Sequence, residues 1–216
     1  MRIFDLLKEN KGTVSSALGK ELAGEVLNGD LGILDEAIAL SVYEPEDMKE
    51  KSIRAGAAKI VEIVAEKKPE LVAPHLNKLI HALGVDEPQT KWMTLRTFGF
   101  CAEKNPKDAE KAIEYAVRCM ENKQGLCLSS SAVLYLGDLG AVSKEYAKKV
   151  FPLIEKESKN PVLNEEDWIL EAYLNIAGHL KEKSDEIAKF AYKNIDAPKK
   201  STQKRANKLL KIIESS

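Results

Sequence analysis

Apolar residues in this chain recur at three- and four-residue intervals, the spacing that gathers side chains on one side of a helix. Ala57, Ile60, Val61 and Val64 form one stripe, and Leu95, Phe98, Cys101 and Ala102 a second. Ala132, Tyr135 and Leu136 form a third, and Ile169, Tyr173, Ile176 and Ala177 a fourth. Between these stripes lie three parallel rows. They are Leu34, Val72, Ala109, Tyr146 and Ile187; Ile38, Leu76, Ile113, Val150 and Ala191; and Val42, Ile80, Val117, Ile154 and Ile195. Within each helix the three rows stand at i, i+4 and i+8, so every one of these helices offers the same face at the same phase. No segment alternates with the two-residue period of a strand.

The pattern predicts helices near 2–9, 13–28, 31–43, 46–67, 69–83, 88–104, 106–121, 125–140, 143–158, 164–181, 184–195 and 198–214. Their punctuation is proline: Pro45, Pro69, Pro88, Pro106, Pro161 and Pro198 each stand just before a predicted helix, where a missing N–H costs nothing. Ser143 and Ser184 hold the same place in later units as expected N-caps. Ala65-Glu66-Lys67-Lys68-Pro69 returns as Ala102-Glu103-Lys104-Asn105-Pro106, displaced by 37 residues. A period of that size means stacked helical pairs, each burying its apolar face on the next. The segment from Glu157 to Leu163 lengthens one repeat to 41.

At this point the chain resembles the HEAT-repeat (armadillo-like) α-solenoid family. Ile53-Arg54-x-x-Ala57-x-x-Ile60 is similar to the Val-Arg-x-x-Ala-x-x-Leu of a HEAT first helix. Leu71-Val72-Ala73-Pro74-x-Leu76-x-x-Leu79 resembles the second-helix phrase Pro-x-Leu-x-x-Leu, a theme repeated in Val150-Phe151-Pro152-Leu153-Ile154. The resemblance covers roughly 31–195. It implies an all-α, right-handed superhelix of about five helical pairs in a single domain, with capping helices over 1–30 and 198–216. Arginine does not recur at the Arg54 position, and Leu95-Arg96 lies in a different phase. The family serves many roles, so the resemblance alone does not choose a function.

Charge narrows the choice. The formal net charge is −1, which gives no global attraction to nucleic acid or to an anionic membrane. The distribution is uneven. Residues 1–50 carry five Lys/Arg against eleven Asp/Glu, and residues 187–216 carry eight against two. Cys101, Cys119 and Cys127 have no CxxC spacing, which argues against a disulfide framework or a zinc site and for a reduced, cytoplasmic setting. The N-terminal residues lack a signal-peptide apolar region, and no apolar run approaches the roughly 18 residues of a membrane span.

Candidate chemistry is sparse. His75 and His81 are six residues apart and point in different directions on a helix, so no metal or other cofactor is expected. No P-loop, dinucleotide fingerprint, nucleophile elbow or HExxH motif occurs. Ser129-Ser130-Ser131 reads as a tight helix contact, and Gly137-Asp138-Leu139-Gly140 as a helix end. Trp92 with Arg96, and Trp168 beside Asp167, resemble in part the aromatic and acidic residues of HEAT-like DNA glycosylases, but the match stops there. Lys111, Lys148 and Lys189 occupy one repeat position, shared by Glu36 and Pro74 in earlier units. A basic ladder on the concave second helices is therefore expected, with Lys78, His81, Tyr115 and Arg118 beside it. The expectation is a monomeric, non-enzymatic module binding a protein or peptide, of acidic character if the ladder is used. The alternatives are nucleic-acid binding through the ladder and the C-terminal helix, and DNA alkylation repair.

Overall fold

The computed structural model describes residues 2–10, 17–122, 125–162 and 164–215. Among them every regular element is helical. They fall into two compact units, Met1–Tyr115 and Ala116–Ser216.

The first unit begins with α1 (Arg2–Glu9) and the pair α2 (Ala17–Leu27) and α3 (Leu31–Leu40). Helix α4 (Lys51–Lys67) follows, then a segmented second helix made of α5 (Pro69–Val72), α6 (Leu76–Leu79) and two 3₁₀ turns. Helix α7 (Pro88–Cys101), then α8 (Pro106–Ala109) and α9 (Ile113–Glu121), which are separated by another 3₁₀ turn, make the third pair, with α9 running on past Tyr115 into the second unit. In this unit α2 stacks on α4 and α4 on α7, with the second helices laid alongside. The second unit contains α10 (Leu126–Gly140), α11 (Lys144–Lys159), α12 (Glu166–Ile176), α13 (Ser184–Tyr192) and α14 (Lys200–Glu214). Here α10 stacks on α12 and α12 on α14. The described helices thus make five pairs, flanked by α1 and α14.

The four predicted first-helix stripes are buried throughout. Of the second-helix rows, the one through Ile38, Leu76, Val150 and Ala191 is buried except at the half-buried Ile113, and Val42, Ile80, Val117 and Ile195 are only half-buried. Predicted boundaries shift where local chemistry intervenes. Pro69, Pro88 and Pro106 open their helices as expected. Pro45, Pro161 and Pro198 lie in turns and irregular backbone instead, and the helices start later at Lys51, Glu166 and Lys200. Ser143 caps α11 by accepting from the Tyr146 N–H at 3.3 Å. Ser184 lies inside α13, and its hydroxyl donates to the Lys181 carbonyl instead. The helix predicted over 69–83 is interrupted at Pro74, which has no N–H to donate and crowds the carbonyl four residues back, so the chain tightens to 3₁₀ over Ala73–His75. The Ala73 carbonyl at that break accepts from the Asn105 side chain at 3.0 Å. The start predicted for α2 at 13 lies outside the described residues.

One buried cation organises the first unit. Arg54 is 0 % exposed. Its guanidinium donates to both Glu87 carboxylate oxygens, at 2.7 and 2.9 Å, and to the backbone carbonyls of Tyr43, Glu44 and Asp47. Thr90 donates to the same Glu87. A guanidinium so enclosed must have its donors met, since an unpaired buried charge is strongly unfavourable. Arg54 therefore holds the turn after α3 and the start of α7 against α4. Glu36 does a related job for α1, accepting from the Ile3 and Phe4 N–H groups at its first turn.

In the second unit close approach of helices plays a comparable part. Gly137 and Gly140 on α10 leave no room for a side chain. A Cβ on Gly137 would lie 2.6 Å from the Ala172 Cα, and one on Gly140 2.5 Å from Ile176. The stretch read as a helix end does close α10, and it is also a tight helix–helix contact. Substitution separates these roles. Gly137→Ala is expected to destabilise by about 1–3 kcal/mol through overpacking against backbone. Gly24→Ala, where the added methyl meets nothing within 4 Å, should stabilise by about 0.5–1 kcal/mol through helix propensity. Urea denaturation of both variants tests the contrast. Equal gains at the two positions would show that α10 and α12 are not held in close contact.

Candidate cleft on the second helices

The second-helix face of the first unit carries a cleft of about 290 Å³. One wall comes from α3 and the turn after it, where Asp35, Ala39 and Val42 follow one another at four- and three-residue spacing on the side turned away from the buried Ile33, Leu34 and Ala37. The other wall is the segmented helix, through Asn77, Lys78 and His81. Ile38 closes the floor. An apolar floor ringed by a carboxylate, an amide, an ammonium and an imidazole suits a mixed apolar and polar ligand.

The wall at Asn77 is fixed from the next pair. Asn77 donates to Asp108 at 2.8 Å and accepts from Lys111 at 2.6 Å. Lys111 also reaches Asp108 at 2.8 Å, and Asn105 donates to Asp108 at 2.8 Å. The hydrogen bonds from Lys111 and then Asn105 hold the Asp108 carboxyl below its ordinary range. Lys111 is thus exposed yet committed to a network spanning one repeat.

Lys148, also exposed, has its Nζ 3.8 Å from a Glu182 oxygen, and Lys144 lies at 3.2 Å from the same carboxylate. Lys189 is exposed on α13, one turn from Glu186. Glu36, the earlier occupant of this position, is taken by the start of α1. Lys78 and His81 are brought together at the cleft, whereas Tyr115, half-buried on α9, is not part of its lining. Arg118 is exposed on α9 in the second unit. Periodicity does not single out Asp35, Ala39 and Asn77, because it groups Val42 with the apolar rows and carries no signal for the wall across from it.

Residues singled out for other chemistry are engaged in packing. Lys59 lies 5.6 Å from the Trp92 ring centre and also pairs with the largely buried Glu62, whose carboxyl is pushed up by burial despite that lysine. Arg96 stacks 4.5 Å over Phe100. Cys101 and Cys119 are buried, and burial, aided by Glu70, pushes the Cys101 thiol up to about 12. Among the described residues no group of three or more His, Cys, Asp or Glu is placed to hold a metal, and no helix is long and apolar enough to cross a membrane.

Asp167 anchors the last helix. It is 7 % exposed and accepts from Lys199, from Ser201 at 3.0 Å and from Thr202 at 2.8 Å, all at the first turn of α14. Burial pushes its carboxyl up, but the donors at Lys199, Thr202 and Ser201 outweigh that and bring it below the ordinary range. A carboxyl lowered by folding adds stability above its unfolded value of about 3.9, and the contribution fades as pH falls through the lowered folded value. Asp167→Asn should therefore cost about 1.5–3 kcal/mol at pH 7, with the difference from wild type shrinking below about pH 4. Urea titrations across that range check it. A difference independent of pH would mean that the Asp167 charge does not hold α14.

No profile of a known protein family matches the sequence, and no curated protein does. Solved structures match in fold. A designed armadillo repeat protein in complex with the peptide (KR)4 is similar over 96% of this chain and 99% of its own, with TM-score 0.67 and 15% identity. A second designed armadillo repeat protein has the same coverage, with TM-score 0.63 and 17% identity. An engineered protein from a structural genomics consortium covers 92% of this chain and 91% of its own, with TM-score 0.69 and 18% identity. The fold is that of an armadillo- and HEAT-like α-solenoid, as the repeat pattern implied.

Proposed function

We propose that this armadillo-like solenoid is a non-enzymatic scaffold that binds an extended peptide or protein segment on its second helices, acting as a cytoplasmic monomer. The observation that carries the reading is the cleft between α3 and the segmented helix. It has an apolar floor, and its charged groups Asp35, Lys78 and His81 are not committed to ion pairs among the described residues. The peptide on one of the similar designed proteins supports the same use of the fold. An apolar side chain of the segment sits over Ile38 and Val42, and an adjacent carboxylate meets Lys78 and His81. Asp35 sits on the opposite wall, so the favoured segment is acidic on one side of its apolar anchor and not uniformly acidic. The carboxylates beside Lys111 and Lys148 weaken the case for a long basic stripe.

Selection from a random phage-displayed peptide library, followed by fluorescence polarisation with the enriched peptides, tests the reading. Ala39→Arg places a long cation in the cleft from an exposed position, so helical content should be unchanged while affinity falls at least about tenfold, or about 1.4 kcal/mol. Lys78→Ala with His81→Ala should weaken acidic peptides most. Enriched peptides that bind Ala39→Arg as well as wild type would place recognition elsewhere.

A further inference from the structure

Many lysines of the second unit are held in ion pairs, and one row is not. Lys144, Lys148, Lys156, Lys159, Lys183 and Lys199 each have a carboxylate oxygen within 4.0 Å. Lys200, Lys204, Lys208 and Lys211 on α14 are all exposed, and among the described residues none has an ion-pair or hydrogen-bond partner. Arg205, on the same helix, pairs with Glu171 and Asp167 and belongs to the fold.

The four free lysines share one face. Their spacing of four, four and three residues confines them to a sector of about 80° and spreads them over about 16.5 Å of helix. This arrangement opposes the helix that carries it. Like charges four residues apart repel, and Lys200 stands in the first turn, at the positive end of the helix dipole, where α14 has no acidic residue of its own and the Asp167 carboxylate is taken by Lys199, Ser201 and Thr202. The carboxylates packed against α14, Asp167 and Glu171, are engaged by Lys199, Ser201, Thr202 and Arg205 and not by the row, and its buried contacts come from Thr202, Ala206, Leu209 and Leu210 on the other side.

We infer that the lysine face of α14 binds the phosphate backbone of duplex nucleic acid without regard to sequence. A polyanion removes the self-repulsion of the row, and 16.5 Å matches about five base pairs at 3.4 Å each. Lysine serves as a point charge toward phosphate and tolerates any base sequence. Protein partners fit this face poorly, because protein interface cores are depleted of lysine and enriched in aromatic residues, and this face has none. Insertion into a lipid surface requires a free apolar side, and the apolar side of α14 is already buried. This site is separate from the cleft on the second helices and does not depend on it.

Fluorescence anisotropy with a labelled mixed-sequence DNA duplex tests the inference. Four phosphate contacts give a slope of log affinity against log salt of about −3.5, hence about a hundredfold loss between 50 and 200 mM salt. The variant K200Q/K204Q/K208Q/K211Q should lose at least about tenfold in affinity at 50 mM salt with helical content unchanged. A control variant, K20Q/K51Q/K104Q/K107Q, removes as much charge from the first unit and should bind like wild type. Polyglutamate and phosphatidylserine vesicles, tested in parallel, should bind more weakly than the duplex. Equal DNA binding by the α14 variant, equal loss in the control variant, a salt slope near zero, or tighter binding to polyglutamate or vesicles would each overturn it.

Discussion

The contact on which the rest depends is the stacking of consecutive first helices: α2 on α4 and α4 on α7 in one unit, α10 on α12 and α12 on α14 in the other. No pair can bury its apolar stripe alone, so each is completed by the next. That requirement explains the small residues on the stacking faces. Ala57 and Ala58 line α4, Ser129 to Ser131 and Ala132 line α10, and Gly137 and Gly140 bring α10 within backbone distance of Ala172 and Ile176. It also fixes where polar groups must go. Short helices leave many ends, and each end carries N–H or C=O groups without an internal partner.

Those ends are met one repeat away. Asn105 serves the Ala73 carbonyl, Lys68 the Leu27 carbonyl, and His179 the Ala141 carbonyl. Asp167 serves the start of α14, and Asn175 reaches Asp138. The polar residues that recur with the repeat are therefore partly structural. This bears on function, because the charges left over are the ones available to a partner. Lys111 is drawn to Asp108 of its own pair and to Asn77 of the neighbouring pair, and Lys148 to Glu182 of the next pair, whereas Lys78, His81 and the α14 lysines have no such carboxylate among the described residues. The apolar-floored cleft and the lysine face are two different surfaces, with different partner chemistry.

Much of the fold was legible in the sequence because apolar periodicity is a property of the chain itself. The first-helix stripes through Ile60, Phe98, Leu136 and Tyr173 are buried as read. The helix break at Pro74 is not legible locally, since Pro152 sits inside α11 without breaking it. Local sequence does not say which of two prolines the surroundings will tolerate. Arg54 was noticed for its resemblance to a repeat motif, but its partner, Glu87, lies 33 residues on and carries no local signal. The candidate site was harder to read for the same reason. A row of lysines is visible at its period, while the carboxylates that meet Lys111 and Lys148 come from outside the row. Asp35 and Ala39 look like ordinary surface until the wall opposite them is placed.

Residue-resolved amide hydrogen exchange under native conditions tests the stacking account most directly, since protection follows the free energy of local opening. The account predicts the slowest exchange in α4, α7, α10 and α12, and markedly faster exchange over 69–83, where the second helix is broken into short α and 3₁₀ turns. Protection as strong over 69–83 as in α4 and α7, or slower exchange in the second helices generally, would contradict it.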